Sequence, residues 1–91
     1  HRVELMDIEV HIAKQENIEQ VVCFVDETKN RSTLIAVIQP SGNIDFKKIQ
    51  ENLRRELPDY MVPKNHRILD PLPLNKNGKV DRKAVRDAYR G

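Results

Sequence analysis

The stretch LPLNKNGKVDR, residues 72–82, holds the lysine whose setting points most directly to chemistry. Asn77-Gly78 is a tight-turn signal, and Lys79 follows it directly. Asn-Gly favours a type I′ turn, in which both central residues have positive φ, so we predict a hairpin with Lys79 held out at its tip. Such a lysine presents a compact ammonium on a flexible stem and can reach a phosphate or carboxylate on another protein surface. The alternative, from the residues alone, is an ordinary exposed hairpin lysine.

Other residues with reactive side chains lack the neighbours that catalysis or metal binding needs. Cys23 lies in an apolar run with no basic neighbour to lower its pKa, so we expect a core thiol rather than a nucleophile. Asp7 and His11 share one helix face, but two ligands do not make a zinc site. There is no glycine-rich phosphate loop and no pattern typical of a serine–histidine–acid set. By elimination, the chemistry lies in the proline-rich segment and its hairpin.

The spacing of apolar residues and the turn residues predict the helices and strands that position this hairpin. Helical periodicity predicts a first helix from about Met6 to Glu16, and Val21 to Val25 form a short run typical of a buried strand. Residues 33–40 give a second strand, the natural hairpin partner of the first. Asp45 can cap a second helix, which Pro58 ends.

The remaining elements complete an α+β domain. Residues 65–70 can supply a third strand, and Asp81 can cap a short last helix with Val85 and Tyr89 on its inner face. We therefore predict one domain, residues 1–91, with a small three-stranded sheet, helices packed on it and a C-terminal hairpin carrying Lys79.

Composition narrows the class of protein without fixing its function. A chain of 91 residues, 38% hydrophobic and 33% charged, suits one globular domain, with no apolar run near the ~18 residues of a membrane span. A single cysteine fits a reducing compartment, so we expect a cytoplasmic location. Residues 76–91 carry six basic and two acidic groups. This tail is either a solvated basic helix or an interaction module for RNA or an acidic partner.

Three segments resemble the motifs of adenylation domains. RVELMDIE (residues 2–9) resembles R-[IV]-E-L-G-E-I-E, LPDYMVP (57–63) resembles L-P-x-Y-M-[IV]-P, and LPLNKNGKVDR (72–82) matches the closing N-G-K-[VI]-D-R motif. All three stand in family order. The chain thus resembles the C-terminal subdomain of an adenylate-forming enzyme, most like the amino-acid-activating domains of nonribosomal peptide synthetases. The same subdomain of a D-alanine–carrier-protein ligase or an acyl-CoA synthetase is the alternative.

The resemblance implies a mobile lid with a role in two half-reactions. In the first, a carboxylate attacks ATP to give an acyl adenylate, with Lys79 inserted into the active site and Asn77, Gly78 and Asp81 supporting the hairpin. ATP and Mg²⁺ are then bound mainly by an N-terminal adenylation subdomain that is absent from this sequence, so the fragment alone is expected to be inactive.

In the second half-reaction, the phosphopantetheine thiol of a carrier protein attacks the adenylate. The resemblance assigns the face that then turns inward to Arg2, Val3, Glu4 and Leu5. Met6 stands where the family has glycine. The fold tolerates Met6 if that glycine only begins a helix, whereas docking geometry is altered if the glycine allows a close approach.

Overall fold

The chain folds into a three-stranded sheet with helices on both faces, which confirms the predicted α+β architecture. A computed structural model describes residues 3–28 and 30–90. The elements, in chain order, are α1 (Leu5–Ala13), β1 (Ile18–Thr28), β2 (Arg31–Pro40), α2 (Phe46–Arg54), a 3-10 turn (Asp59–Met61), β3 (Asn65–Ile68) and α3 (Arg82–Arg90).

The sheet has the order β1-β2-β3, with β2 in the centre. β1 and β2 form the predicted antiparallel hairpin, and β3 joins β2 in parallel after the crossover through α2. β1 extends well beyond the apolar run at residues 21–25, because polar residues at both ends continue the ladder with β2. Within the described residues, one edge of β1 has no partner strand.

Both faces of the sheet are buried, which is why the strands read as continuous apolar runs. On one face, Cys23, Leu34 and Ala36 pack against the helices α1 and α2. On the other, Val22, Phe24, Ile35 and Val37 pack against Leu72, from the segment before the Lys79 hairpin, and Val85, from α3. The hairpin is therefore anchored in the second of two cores, on the face opposite α1 and α2.

The helix ends differ from the sequence prediction. α1 ends at Ala13 rather than Glu16. Asp45 caps α2 as predicted, accepting from the N–H groups of Lys47 and Lys48, but the helix ends at Arg54. Leu57 follows in a turn and is still buried in the core. Local turns before Pro58 thus replace the last predicted turn of the helix, and Leu57 keeps its contact with the core.

No helix in the described part of the chain is long and apolar enough to cross a membrane.

Candidate functional site: the lysine hairpin

The lysine hairpin, residues 72–82, closes by a different turn from the one predicted. Leu74 pairs with Val80, the Gly78 N–H donates to the Asn75 carbonyl (3.0 Å), and the Asn75 N–H donates to the Lys79 carbonyl (2.7 Å). Gly78 has φ +80°, whereas Asn77 does not have positive φ. The type I′ prediction is therefore wrong. The turn spans residues 75–78, and only its last residue is left-handed, as in three-residue hairpin loops with a glycine bulge.

Asn75 is the residue that organises this loop, and sequence reasoning missed it. Its side-chain oxygen accepts from the backbone N–H of Asn77 (2.8 Å) and from that of Lys79 (3.1 Å). An asparagine that bonds the backbone two residues on is a recurrent turn device. The first asparagine of N-K-N-G carries this signal in the sequence, whereas the type I′ prediction rests on the Asn-Gly pair alone.

Gly78 is required for its backbone conformation rather than for space. Its φ of +80° lies in the left-handed region, and a Cβ built there would meet nothing within 4 Å. A larger residue would therefore be strained without clashing. Asn77, predicted as a support, contributes its backbone N–H to Asn75 but no described side-chain bond.

Lys79 has a fixed backbone and an unpaired side chain. Its N–H and its carbonyl both bond to Asn75. The residue is exposed, and its ammonium makes no hydrogen bond or ion pair with any residue in the described ranges. Among the described residues, Lys79 thus presents a cation without a partner on a backbone held by its own turn, able to bind an anion supplied by another surface.

Asp81 caps the last helix, as predicted. Its carboxylate accepts from the Ala84 N–H (3.0 Å) and its carbonyl from the Val85 N–H (3.0 Å), so Asp81 caps α3. Its own N–H donates to the Pro73 carbonyl across the hairpin (2.8 Å). Asp81 therefore both begins α3 and closes the base of the hairpin.

Arg82, the first residue of α3, ties the hairpin to the first helix. Its Nη1 and Nη2 donate to Oε2 (2.7 Å) and Oε1 (2.6 Å) of Glu9, a buried carboxylate on α1. The same Oε2 accepts from the Cys23 N–H on the unpaired edge of β1 (2.8 Å). The hydrogen bond to Glu9 raises the pKa of Arg82. Burial, and secondarily the Glu9 charge, raises the pKa of the Cys23 thiol far above its ordinary range.

The predicted thiolation face lies only partly within the described residues. Arg2 is outside them. Val3 and Leu5 are half-buried against the α1–α2 core, and exposed Glu4 begins α1 by accepting backbone bonds from Asp7 and Ile8.

This N-terminal segment and the end of the hairpin line the same groove, the hairpin contributing Arg82. Leu5, Arg82 and Arg86 line one groove of about 270 Å³ along β1, and Lys79 is not among its lining residues. The structure therefore places the two predicted site segments on a shared scaffold, with Lys79 outside the groove that they share.

Met6 is accommodated by the fold. It lies in α1 without positive φ, and its side chain is 71% exposed. The glycine of the related motif is thus not needed here to begin the helix.

The described residues do not supply a metal site. Within residues 3–28 and 30–90, no three His, Cys, Asp or Glu side chains come close enough together to hold a metal ion.

Comparison with known proteins gives one consistent picture. Residues 7–79 match the family described as AMP-binding enzyme C-terminal domain. Tyrocidine synthase 3 of Brevibacillus parabrevis is 36% identical over 86 residues, which cover 93% of this chain and 1% of that protein. Across such relatives the chain spans about 1 to 4% of their length.

Solved structures share the fold. A holo four-domain nonribosomal peptide synthetase bound to AMP and glycine matches with a TM-score of 0.81 and 36% identity, over 91% of this chain and 6% of that one. Klebsiella oxytoca NpsA, in complex with 3-hydroxyanthranilyl-AMSN, matches with a TM-score of 0.90 and 24% identity, over 100% of this chain and 18% of that one.

Proposed function

Because the chain belongs to the AMP-binding enzyme C-terminal domain family, we propose that it is the mobile lid of an amino-acid-activating ligase. The parent enzyme would join an amino acid to ATP, releasing pyrophosphate, and then load the aminoacyl group on a carrier protein. The relatives named as peptide synthetases, one of them bound to AMP and glycine, support this substrate class.

Lys79 would act in the first half-reaction. A substrate carboxylate and the α-phosphate of ATP are both anionic, so bringing them together is opposed by their repulsion. An ammonium between them offsets that repulsion and stabilises the charge that develops as the carboxylate oxygen attacks phosphorus. The observation that carries this proposal is that the Lys79 side chain has no partner among residues 3–28 and 30–90, while Asn75 bonds to both the N–H and the carbonyl of Lys79.

The second half-reaction would use the opposite end of the chain. With the hairpin withdrawn, the face formed by Arg2, Val3, Glu4 and Leu5 would turn inward and shape the path of the phosphopantetheine thiol. That thiol attacks the adenylate carbonyl, and AMP leaves. Because Lys79 and residues 2–5 lie in different segments of the domain, the two half-reactions would use different surfaces of it.

The rest of the machinery would lie elsewhere in the parent protein. ATP and Mg²⁺ would be held by an N-terminal adenylation subdomain, and the carrier protein would supply the phosphopantetheine. The fragment on its own would not adenylate, because the nucleotide-binding elements are missing from it. We place the parent enzyme in the cytoplasm, as the single cysteine suggests.

Protection of Lys79 from amine-reactive reagents tests this proposal in the full-length protein. We expect a non-hydrolysable aminoacyl-adenylate analogue to slow modification of Lys79 at least about tenfold, since the bound ammonium is engaged with anions. Lys76, in the same turn, and Lys83, on α3, serve as internal controls and should be modified at unchanged rates. Unprotected Lys79 in the presence of saturating analogue would overturn the proposed insertion.

A further inference from the structure

Glu9 is a buried carboxylate at the meeting point of three elements. It lies on α1 with 8% of its surface exposed, and it accepts from the β1 edge at Cys23 and from both guanidinium arms at the start of α3. Each of its two oxygens thus has a donor, and the bond to Arg82 is a two-point fork. No other ion pair in the described residues joins α1 to α3.

Stability alone does not account for such a pair. Replacing a buried ion pair by well-packed apolar side chains is often neutral or stabilising, because the charges must first lose their water. What a two-point fork adds is geometry, since two parallel bonds fix direction as well as distance. The fork also lies close to the Lys79 hairpin along the chain. Arg82 follows Lys79 by three residues, so at most about 10 Å of chain separates the two Cα atoms.

The other limb of the hairpin is anchored too. The Leu72 N–H donates to the Gln39 side chain on β2 (2.8 Å), and the Asp81 N–H donates to the Pro73 carbonyl (2.8 Å). One limb is thereby fixed to the sheet, and the other is fixed through Arg82 to α1. Without the Arg82 fork, the second limb would keep its link to the first limb and would otherwise be held from the far end of α3, which packs on the sheet and bonds to Arg67 and Asp26.

We propose that Glu9 and Arg82 are positioning residues that aim Lys79 for the adenylation step. This inference rests on the proposed function of Lys79. The pair sets the angle at which the hairpin leaves the domain, and hence where the ammonium lies when the lid is closed. A displacement of about 1 Å at a reacting group can cost on the order of a hundredfold in rate.

The test uses the full-length protein with both members of the pair replaced, Glu9→Met with Arg82→Met, so that no buried charge is left unpaired. We expect kcat for pyrophosphate release to fall about ten- to a hundredfold with the KM for ATP within about threefold. Thioester formation from supplied aminoacyl adenylate should stay within about threefold. Lys83→Met, the next residue on α3 with its side chain 85% exposed, is the matched control and should leave both rates unchanged.

Two further variants distinguish failure of the positioning role from failure of the proposed function of Lys79. Arg82→Lys retains a cation beside Glu9 but loses the fork, so it should show the same selective loss even if the double variant fails to fold. Lys79→Ala is measured alongside. If Lys79→Ala cripples adenylation and Arg82→Lys does not, the positioning role is overturned and the proposed function stands. If Lys79→Ala has no effect, both are overturned, and equal loss of both half-reactions in Arg82→Lys also overturns the positioning role.

Discussion

Arg82 grips the carboxylate of Glu9 through two hydrogen bonds of 2.6 and 2.7 Å, although the two residues are 73 positions apart in the chain. The contact joins the first helix to the start of the last one. It also connects two of the three motif segments, since Glu9 ends the first segment and Arg82 ends the last. The hairpin that carries Lys79 is therefore held by a contact that spans nearly the whole domain.

Arg82→Ala alone should be strongly destabilising. It leaves the Glu9 carboxylate buried with only the Cys23 N–H as a partner. We expect the free energy of unfolding to fall by about 3 kcal/mol. This is the lower end of the range for breaking a buried ion pair, because about half of the Arg82 side chain is exposed to water. Denaturant unfolding checks this, with Arg86→Ala expected within about 0.5 kcal/mol of the parent. If Arg82→Ala lowered the free energy of unfolding by less than about 0.5 kcal/mol, the buried Glu9 carboxylate would not need Arg82 as its partner.

Asn75 and Asn77 should differ sharply in their effect on adenylation. Asn75→Ala removes the acceptor of two backbone bonds that shape the loop under Lys79, which at about 0.5–1.5 kcal/mol each predicts a roughly five- to 150-fold lower kcat. Asn77→Ala removes no described side-chain bond and should stay within about twofold. Steady-state pyrophosphate release by the two full-length variants makes the comparison. The opposite ranking would restore Asn77 as the organising residue.

Cys23 should react slowly with thiol reagents in the native protein. The residue is 1% exposed, and both burial and the nearby Glu9 carboxylate raise the pKa of its thiol, so little thiolate forms at neutral pH. Labelling should become fast only when denaturant unfolds the domain. Rapid labelling without denaturant would mean that β1 opens easily or is not buried.

His66 should make the domain less stable as the pH falls. Its ring stacks on Phe46, 4.1 Å between ring centroids, and burial lowers its pKa below the ordinary 6.5. The unfolded chain therefore binds a proton first as the pH falls through about 6.5, so the stability is present above that pH and decreases below it.

His66→Phe keeps the stacked ring but cannot titrate. The difference in unfolding free energy between wild type and His66→Phe should therefore change between about pH 7 and pH 5, wild type becoming relatively weaker in acid. Denaturant midpoints at the two pH values measure this, and a difference that is independent of pH would rule out His66 as the source.

The elements that sequence predicts well are those fixed by local pattern. The apolar runs of β1 and β2 identified the central hairpin, because continuous burial of Val22, Cys23 and Phe24 reflects cores on both sides of the sheet. Asp45 and Asp81 were predicted as helix caps, and both accept the expected backbone bonds. In each case the residues that decide the structure are neighbours in the chain.

The features that could not be predicted from the sequence depend on contacts that the local pattern of residues does not show. Asn75 changes the turn because its side chain competes for the backbone bonds of Asn77 and Lys79. The Glu9–Arg82 pair depends on how α1 and α3 pack around the β1 edge, so neither residue stands out from its own segment. The extension of β1 beyond the apolar run likewise comes from pairing with β2 rather than from its own residues.

We propose that Lys79 serves adenylation and not thioester formation. Loss of one preorganised charge in a transition state typically costs about 3–4 kcal/mol, so Lys79→Ala in the full-length protein should lower the adenylation rate roughly a hundred- to a thousandfold. Lys79→Arg should also fail, because a planar fork does not replace a compact ammonium between two anions. Lys76→Ala and Lys83→Ala, which remove neighbouring cations, are the controls.

The decisive measurement is the pair of single-turnover rates for Lys79→Ala, one for pyrophosphate release from ATP and amino acid, the other for thioester formation from supplied aminoacyl adenylate. We predict a loss of about a hundredfold or more in the first rate, with the second within about threefold of the parent enzyme. An unchanged first rate, or equal losses in both, would contradict the role assigned to Lys79.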